Sequence, residues 1–191
     1  MKPNKRVLIL AASPRKNGNS TILALKAAEG VKAEGGEADV VSLGNLKIVP
    51  CNACDVCRTK PETGCVIKDD MQPLYKKIED AQGVIFATPV YWFNISAQMK
   101  LFIDRTYAIH GKGYYAFTGK DVGVILTYED EDVFVSGGIN ALRSFQDIFA
   151  YVKANIVGAV YGSAGKAGDI KANGELMQKA YDLGKKIANR K

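Results

Sequence analysis

Nowhere in its 191 residues does the chain carry an apolar run near the ~20 residues that cross a bilayer. The basic opening stretch Met1–Arg6 is followed by an apolar run that stops at Ala12, too short for the core of an export signal. A cytoplasmic protein without membrane contact is expected. No internal repeat, low-complexity tract or interdomain linker is present, and the length suits one domain spanning 1–191. No helix-turn-helix, zinc-finger pattern or basic stripe with interleaved aromatics is found, so nucleic acid is not an expected partner. The formal charge of +6 resolves into two basic ends around a mildly acidic body. Cysteine is absent everywhere except positions 51–65, where all four occur. In a chain without an export signal, that confinement points to a metal or redox site rather than disulfides.

What is present is an alternation of strand and helix signals. Val7–Ala11, Ala38–Leu43, Gly83–Thr88, Asp121–Thr127 and Ile156–Tyr161 are short apolar runs of the kind buried on both faces of a parallel sheet. Between them, helical spacing predicts helices over Ser20–Lys32, Met71–Ala81, residues 95–109 and Gly138–Lys153, with a last helix after Asn173. Asp69 and Asp70 stand where acids favour the start of the second helix. Alternation predicts an α/β, doubly wound, five-stranded parallel sheet of flavodoxin-like order 2-1-3-4-5, with helices on both faces. Ligands of such sheets sit beyond the carboxyl ends of the strands, where the order reverses.

The loop after the first strand, Ser13-Pro14-Arg15-Lys16-Asn17-Gly18-Asn19-Ser20-Thr21, meets the next helix at its electropositive end. It is neither a Walker loop nor a G-x-G-x-x-G turn. Its hydroxyls, amide and single arginine suit a terminal phosphate monoester, although the same residues also cap ordinary helices. The loop after the third strand, Thr88-Pro89-Val90-Tyr91-Trp92-Phe93-Asn94, places three aromatics in a row. That suits a flat heteroaromatic ring, or a loop anchored by one buried aromatic.

Cys51-x2-Cys54-x2-Cys57-x7-Cys65 lies in a loop at about 48–70 that is too long for a plain connection. Three cysteines at even three-residue spacing share the core of the bacterial ferredoxin run. Four thiolates also suit a structural zinc site. His110, near a helix end, reads as structural, and the acidic run Glu129–Asp132 reads as facing solvent.

Taken together, Ser-Pro-Arg-x-x-Gly-Asn-Ser and Thr-Pro-Val-Tyr-Trp resemble the NADPH-dependent FMN reductase-like branch of the flavodoxin superfamily, over nearly the whole chain. The cysteine segment resembles that of its iron–sulfur flavoprotein group. The resemblance implies an FMN-dependent oxidoreductase, with NAD(P)H as a possible co-substrate and a [4Fe–4S] cluster on Cys51, Cys54, Cys57 and Cys65. It implies that Ser13, Arg15, Asn19, Ser20 and Thr21 hold the FMN phosphate. Pro89, Val90, Tyr91, Trp92 and Asn94 would line the isoalloxazine, and Thr127 would begin the loop that completes the site. Partners would be small-molecule donors and acceptors or a ferredoxin-like protein, with the chain a homodimer or homotetramer. Two alternatives stand beside this: a cluster-free NAD(P)H:FMN or quinone reductase, and a zinc-stabilised binding module without turnover.

Overall fold

A computed structural model describes residues 5–110 and 113–190, so Met1–Asn4 of the basic opening stretch and Lys191 at the other end lie outside the described residues. Five parallel strands form the sheet: β1 (Arg6–Ala11), β2 (Glu37–Ser42), β3 (Gly83–Tyr91), β5 (Asp121–Tyr128) and β6 (Asn155–Ser163). Their spatial order is β2-β1-β3-β5-β6, the doubly wound arrangement expected from the alternation. The departure is a two-residue strand, β4 (Asn94–Ile95), which pairs antiparallel with the end of β3. One line of residues across the sheet runs Val40, Ile9, Ile85, Gly123, Gly158.

Alternate side chains on the strands serve two cores, as the period of two requires. Leu8, Leu10, Val84, Phe86, Val122 and Val124 face α3 (Gln72–Asp80), α4 (Ala97–Arg105) and α6 (Gly138–Tyr151). Val7, Ile9, Ile85 and Ile125 face α1 (Asn19–Ala33) and α7 (Gly174–Asn189). The first core is aromatic. Phe86 meets Phe117 edge to face at 5.2 Å between centroids, and lies 5.0 Å from Phe149. The second is aliphatic and richer in alanine, and α1 and α7 approach until glycine is required. A Cβ on Gly30 would run into the Tyr181 carbonyl, and one on Gly184 into the Ala27 carbonyl.

Two helix expectations change. The helix foreseen over 95–109 breaks into α4 and a short α5 (Tyr107–His110), because the Thr106 hydroxyl donates back to the Ile103 carbonyl at 2.6 Å. Within the long segment after β2, a single turn, α2 (Val56–Thr59), carries Cys57. No helix of the described residues is long and apolar enough to cross a membrane.

Alanine is favoured over glycine within a helix by about 1 kcal/mol. Gly184→Ala is nonetheless expected to destabilise the protein, by about 1–3 kcal/mol, because the two helices must separate. A urea-unfolding midpoint at or above that of the parent protein would contradict this packing.

Candidate functional site

At the carboxyl ends of the strands, four loops border an open cleft. Ser13, Arg15, Gly18 and Asn19 come from the loop after β1, and Pro89, Val90 and Tyr91 from the end of β3. Thr127, Tyr128 and Glu129 come from the end of β5, and Ala164, Gly165 and Ala167 from beyond β6. Of the residues foreseen around a cofactor, the cleft thus gathers Ser13, Arg15, Asn19, Pro89, Val90, Tyr91 and Thr127.

The floor of the cleft is an uncapped helix end. Helix α1 starts after Gly18 with no side-chain cap and no acid in its first turn. Just beyond the residues that line the cleft, in the first turn of this helix, the Ser20 and Thr21 hydroxyl oxygens are buried without a hydrogen-bond partner. Orphan donors at the positive end of a helix suit an anion. Gly18 is obligatory in this turn, since a Cβ would collide with the Ser13 side chain, whose Oγ accepts from the Arg15 N–H at 3.3 Å.

Asn19 has a different job from the one the resemblance implied. Its amide donates to the carbonyls of Ala164 (3.0 Å) and Lys166 (2.9 Å), and accepts from the N–H groups of Gly168 (2.9 Å) and Ile170 (3.3 Å). All four hydrogen-bonding positions of the side chain are used on the segment after β6. Asn19 therefore builds the wall of the cleft, and only its backbone is free to meet a ligand. Arg15 reaches the same wall, donating to the Gly165 carbonyl at 3.3 Å.

The aromatic stretch is a hairpin rather than a loop. Tyr91 pairs with Asn94, so Trp92 and Phe93 are the two turn residues, with φ of 46° and 62°. Both positions of such a turn demand left-handed backbone, which normally selects Asn and Gly. Trp92 is 93% exposed at the tip, and Asn94 accepts from the Ile95 N–H at 2.8 Å. Neither Trp92 nor Asn94 lines the cleft, unlike Tyr91. Phe93 packs on Gly137 at the start of α6, and its carbonyl accepts from Asn140 at 3.2 Å. Buried Thr88 and Ser96 hold the base of the hairpin through their hydroxyls, 3.0 Å apart.

Glu129 is exposed, as expected, and also stands at the open edge of the cleft beside Gly165. Beside it, burial together with neighbouring Tyr161 and Asp132 holds the Tyr128 phenol above its ordinary pKa, hence neutral. Asp132 shapes the turn before α6 by accepting from the Phe134 and Val135 N–H groups at 2.7 and 2.9 Å.

The four cysteines edge one shallow pocket, together with Val66, Ile67, Arg105, Tyr107 and Ala108. Cys51 and Cys54 are exposed, Cys65 half-buried and Cys57 buried. Ala53 and Asp55, on either side of Cys54, have φ of 53° and 55°. Between them the Cys54 N–H donates to Asn52 Oδ1 at 3.3 Å, closing a tight local turn. Among the described residues, no three Cys, His, Asp or Glu side chains converge tightly enough for a single metal ion.

Sequence reading missed what holds this pocket. Asp69 and Asp70 do not serve chiefly as helix-end acids. They close the base of the loop, accepting from the Val49 N–H (2.9 Å) and the Lys47 N–H (2.7 Å). Arg105, 1% exposed, forms a two-pronged ion pair with Asp69 at 2.6 and 3.1 Å, and also donates to the Val49 carbonyl and to Cys65 Sγ. Burial would raise the Cys65 thiol, but the Ile67 N–H, Tyr75 and Arg105 hold it below the ordinary range. Cys57 is shifted the other way by burial and by the neighbouring cysteines. His110 stacks on Tyr115 at 4.1 Å, away from both sites.

The family profile described as NADPH-dependent FMN reductase matches residues 5–169. An iron–sulfur flavoprotein of Methanocaldococcus jannaschii is 31% identical, over 96% of this chain and 95% of its own length. Among solved structures, the NAD(P)H:quinone oxidoreductase of Methanothermobacter marburgensis superposes with a TM-score of 0.72 at 19% identity, covering 98% of this chain and 99% of that one. An archaeal flavodoxin superposes with a TM-score of 0.60 at 11% identity, covering 96% of each chain. At such identities the two structures speak for the fold alone.

Removing the Asn19 amide strands two N–H groups and two carbonyls of the wall. Asn19→Ala is expected to cost about 2–3 kcal/mol and to open residues 164–170 to protease. Unchanged stability and cleavage would refute the latch.

Proposed function

This chain belongs to the NADPH-dependent FMN reductase family and to its iron–sulfur flavoprotein group, and is thus a flavin-dependent oxidoreductase with FMN as cofactor; on that premise we propose which of its residues hold the FMN and that its four cysteines carry a [4Fe–4S] cluster. The observation that carries the FMN assignment is the pair of buried, unpartnered hydroxyls of Ser20 and Thr21 at the uncapped start of α1. The phosphate would lie there, met by the backbone N–H groups of Asn19–Thr21 and by Ser13, with Arg15 adding charge. Pro89, Val90, Tyr91 and Thr127 would flank the ring system. Bound FMN supplies two-electron and one-electron transfer. The protein fixes the ring's position by the braced end of β3, and the neutral Tyr128 adds no charge of its own. Glu129 opposes the accumulation of negative charge on the cleft side it lines.

For the cluster, support comes from the four thiols around one pocket and from the family's iron–sulfur relatives. Cys51, Cys54, Cys57 and Cys65 would be its ligands, and it would supply single electrons from a ferredoxin-like or small-molecule donor. NAD(P)H would act from the open side of the FMN cleft. A second copy of the chain would cover the exposed Trp92, Phe93, Phe134 and Val135 beside that cleft, giving a homodimer or homotetramer.

Arg15→Ala combined with Ser20→Ala is expected to weaken FMN binding tenfold or more, about 1.4 kcal/mol. Flavin fluorescence titration reads this directly, and parent affinity would refute the phosphate site. Cys54→Ser is expected to abolish iron and sulfide incorporation under anaerobic purification while FMN stays bound. One zinc per chain in the parent protein, or no metal at all, would overturn the cluster.

A further inference from the structure

Among the described residues, Arg105 is the one buried lysine or arginine, and it stands against the cysteine pocket rather than the FMN cleft. Its Nη1 donates to the Val49 carbonyl at 2.9 Å and to Asp69 Oδ2 at 2.6 Å. Its Nη2 donates to Asp69 Oδ1 at 3.1 Å and to Cys65 Sγ at 3.4 Å. Holding Val49 to Asp69 would need only the first set of bonds. A buried ion pair is also a poor choice for stability alone, since apolar residues of similar volume do as well or better. What the apolar alternative lacks is a cation directed at a thiol.

We infer that Arg105 is the positioning residue of the four-cysteine site: it fixes Cys65 from the end of α4 and directs a permanent buried positive charge at the thiolates, favouring electron uptake there. This rests on the reading that the cysteines hold an iron–sulfur cluster. Asp69 cancels the net charge of the pair, but the guanidinium, not the carboxylate, is the group that reaches the sulfur. Tyr75 braces the end of α4 by donating its hydroxyl to the Arg105 carbonyl at 3.2 Å, so the guanidinium is the donor that reaches Cys65. Hydrogen bonds to ligand sulfurs and nearby positive charge raise the reduction potential of such clusters. Reduction takes one electron from the donor, with no bond made or broken in the protein, and the added negative charge is what Arg105 offsets. Lysine cannot replace it, because a single ammonium does not span Val49, Asp69 and Cys65 together.

The test compares the parent protein with Arg105→Lys and with the paired variant Arg105→Gln/Asp69→Asn, which leaves no lone buried charge. All are purified anaerobically and analysed for iron, sulfide and FMN per chain, and the cluster's midpoint is read by spin-resonance-monitored titration with dithionite. Expected are parent-like FMN content and a midpoint shifted to lower potential in Arg105→Lys. In the paired variant the same downward shift or a loss of iron is expected. A parent midpoint and parent iron content in Arg105→Lys would overturn the inference, whether or not the paired variant folds. A parent protein without iron would instead overturn the cluster reading beneath it, and the inference with it.

Discussion

Strand β1 is hydrogen-bonded along both edges, to β2 on one side and β3 on the other. The chain must then leave the two sides of β1 in opposite directions, which opens a crevice above its carboxyl end. Everything chemical in the molecule is arranged around that opening. The turn entering α1, the braced end of β3 and the wall after β6 all converge there because their strands end side by side. The turn after β2 is drawn in as well. A Cβ on Gly44 would run into the Ser13 carbonyl, so the segment leading to the cysteines departs directly beneath the turn entering α1.

Helix α4 joins the two candidate sites. It starts at Ser96, which caps it and bonds Thr88 at the hairpin base, and it ends at Arg105 in the cysteine pocket. Nine residues at 1.5 Å each make it about 13 Å long. Both ends are fixed by buried polar contacts, so the relative placement of the two sites is set by a rigid element rather than by loops.

The fold was legible because two-sided burial writes short, unbroken apolar runs such as Val7–Ala11 and Gly83–Thr88. The turn entering α1 was legible as a candidate anion site because hydroxyl and amide residues sit at the start of the first helix. Their division of labour was not. The partners of Asn19 lie some 150 positions further along, and no local pattern announces them. Arg105 was invisible for a similar reason. A basic residue in the last turn of an amphipathic helix is ordinary, and only the fold brings Asp69 and Cys65 to it. The hairpin was hidden by its own chemistry, since aromatic residues seldom occupy left-handed turn positions.

The base of the cysteine loop is tied by Asp70 to Lys47 and by Asp69 to Val49, so its two ends meet before the cysteines begin and after they finish. Such a closed neck makes the segment between behave as an appendage. Its length and contents can change while the sheet sees the same two strand ends, and the entropic cost of lengthening it grows only slowly. A scaffold with this neck can gain, exchange or shed the loop above it without being redesigned.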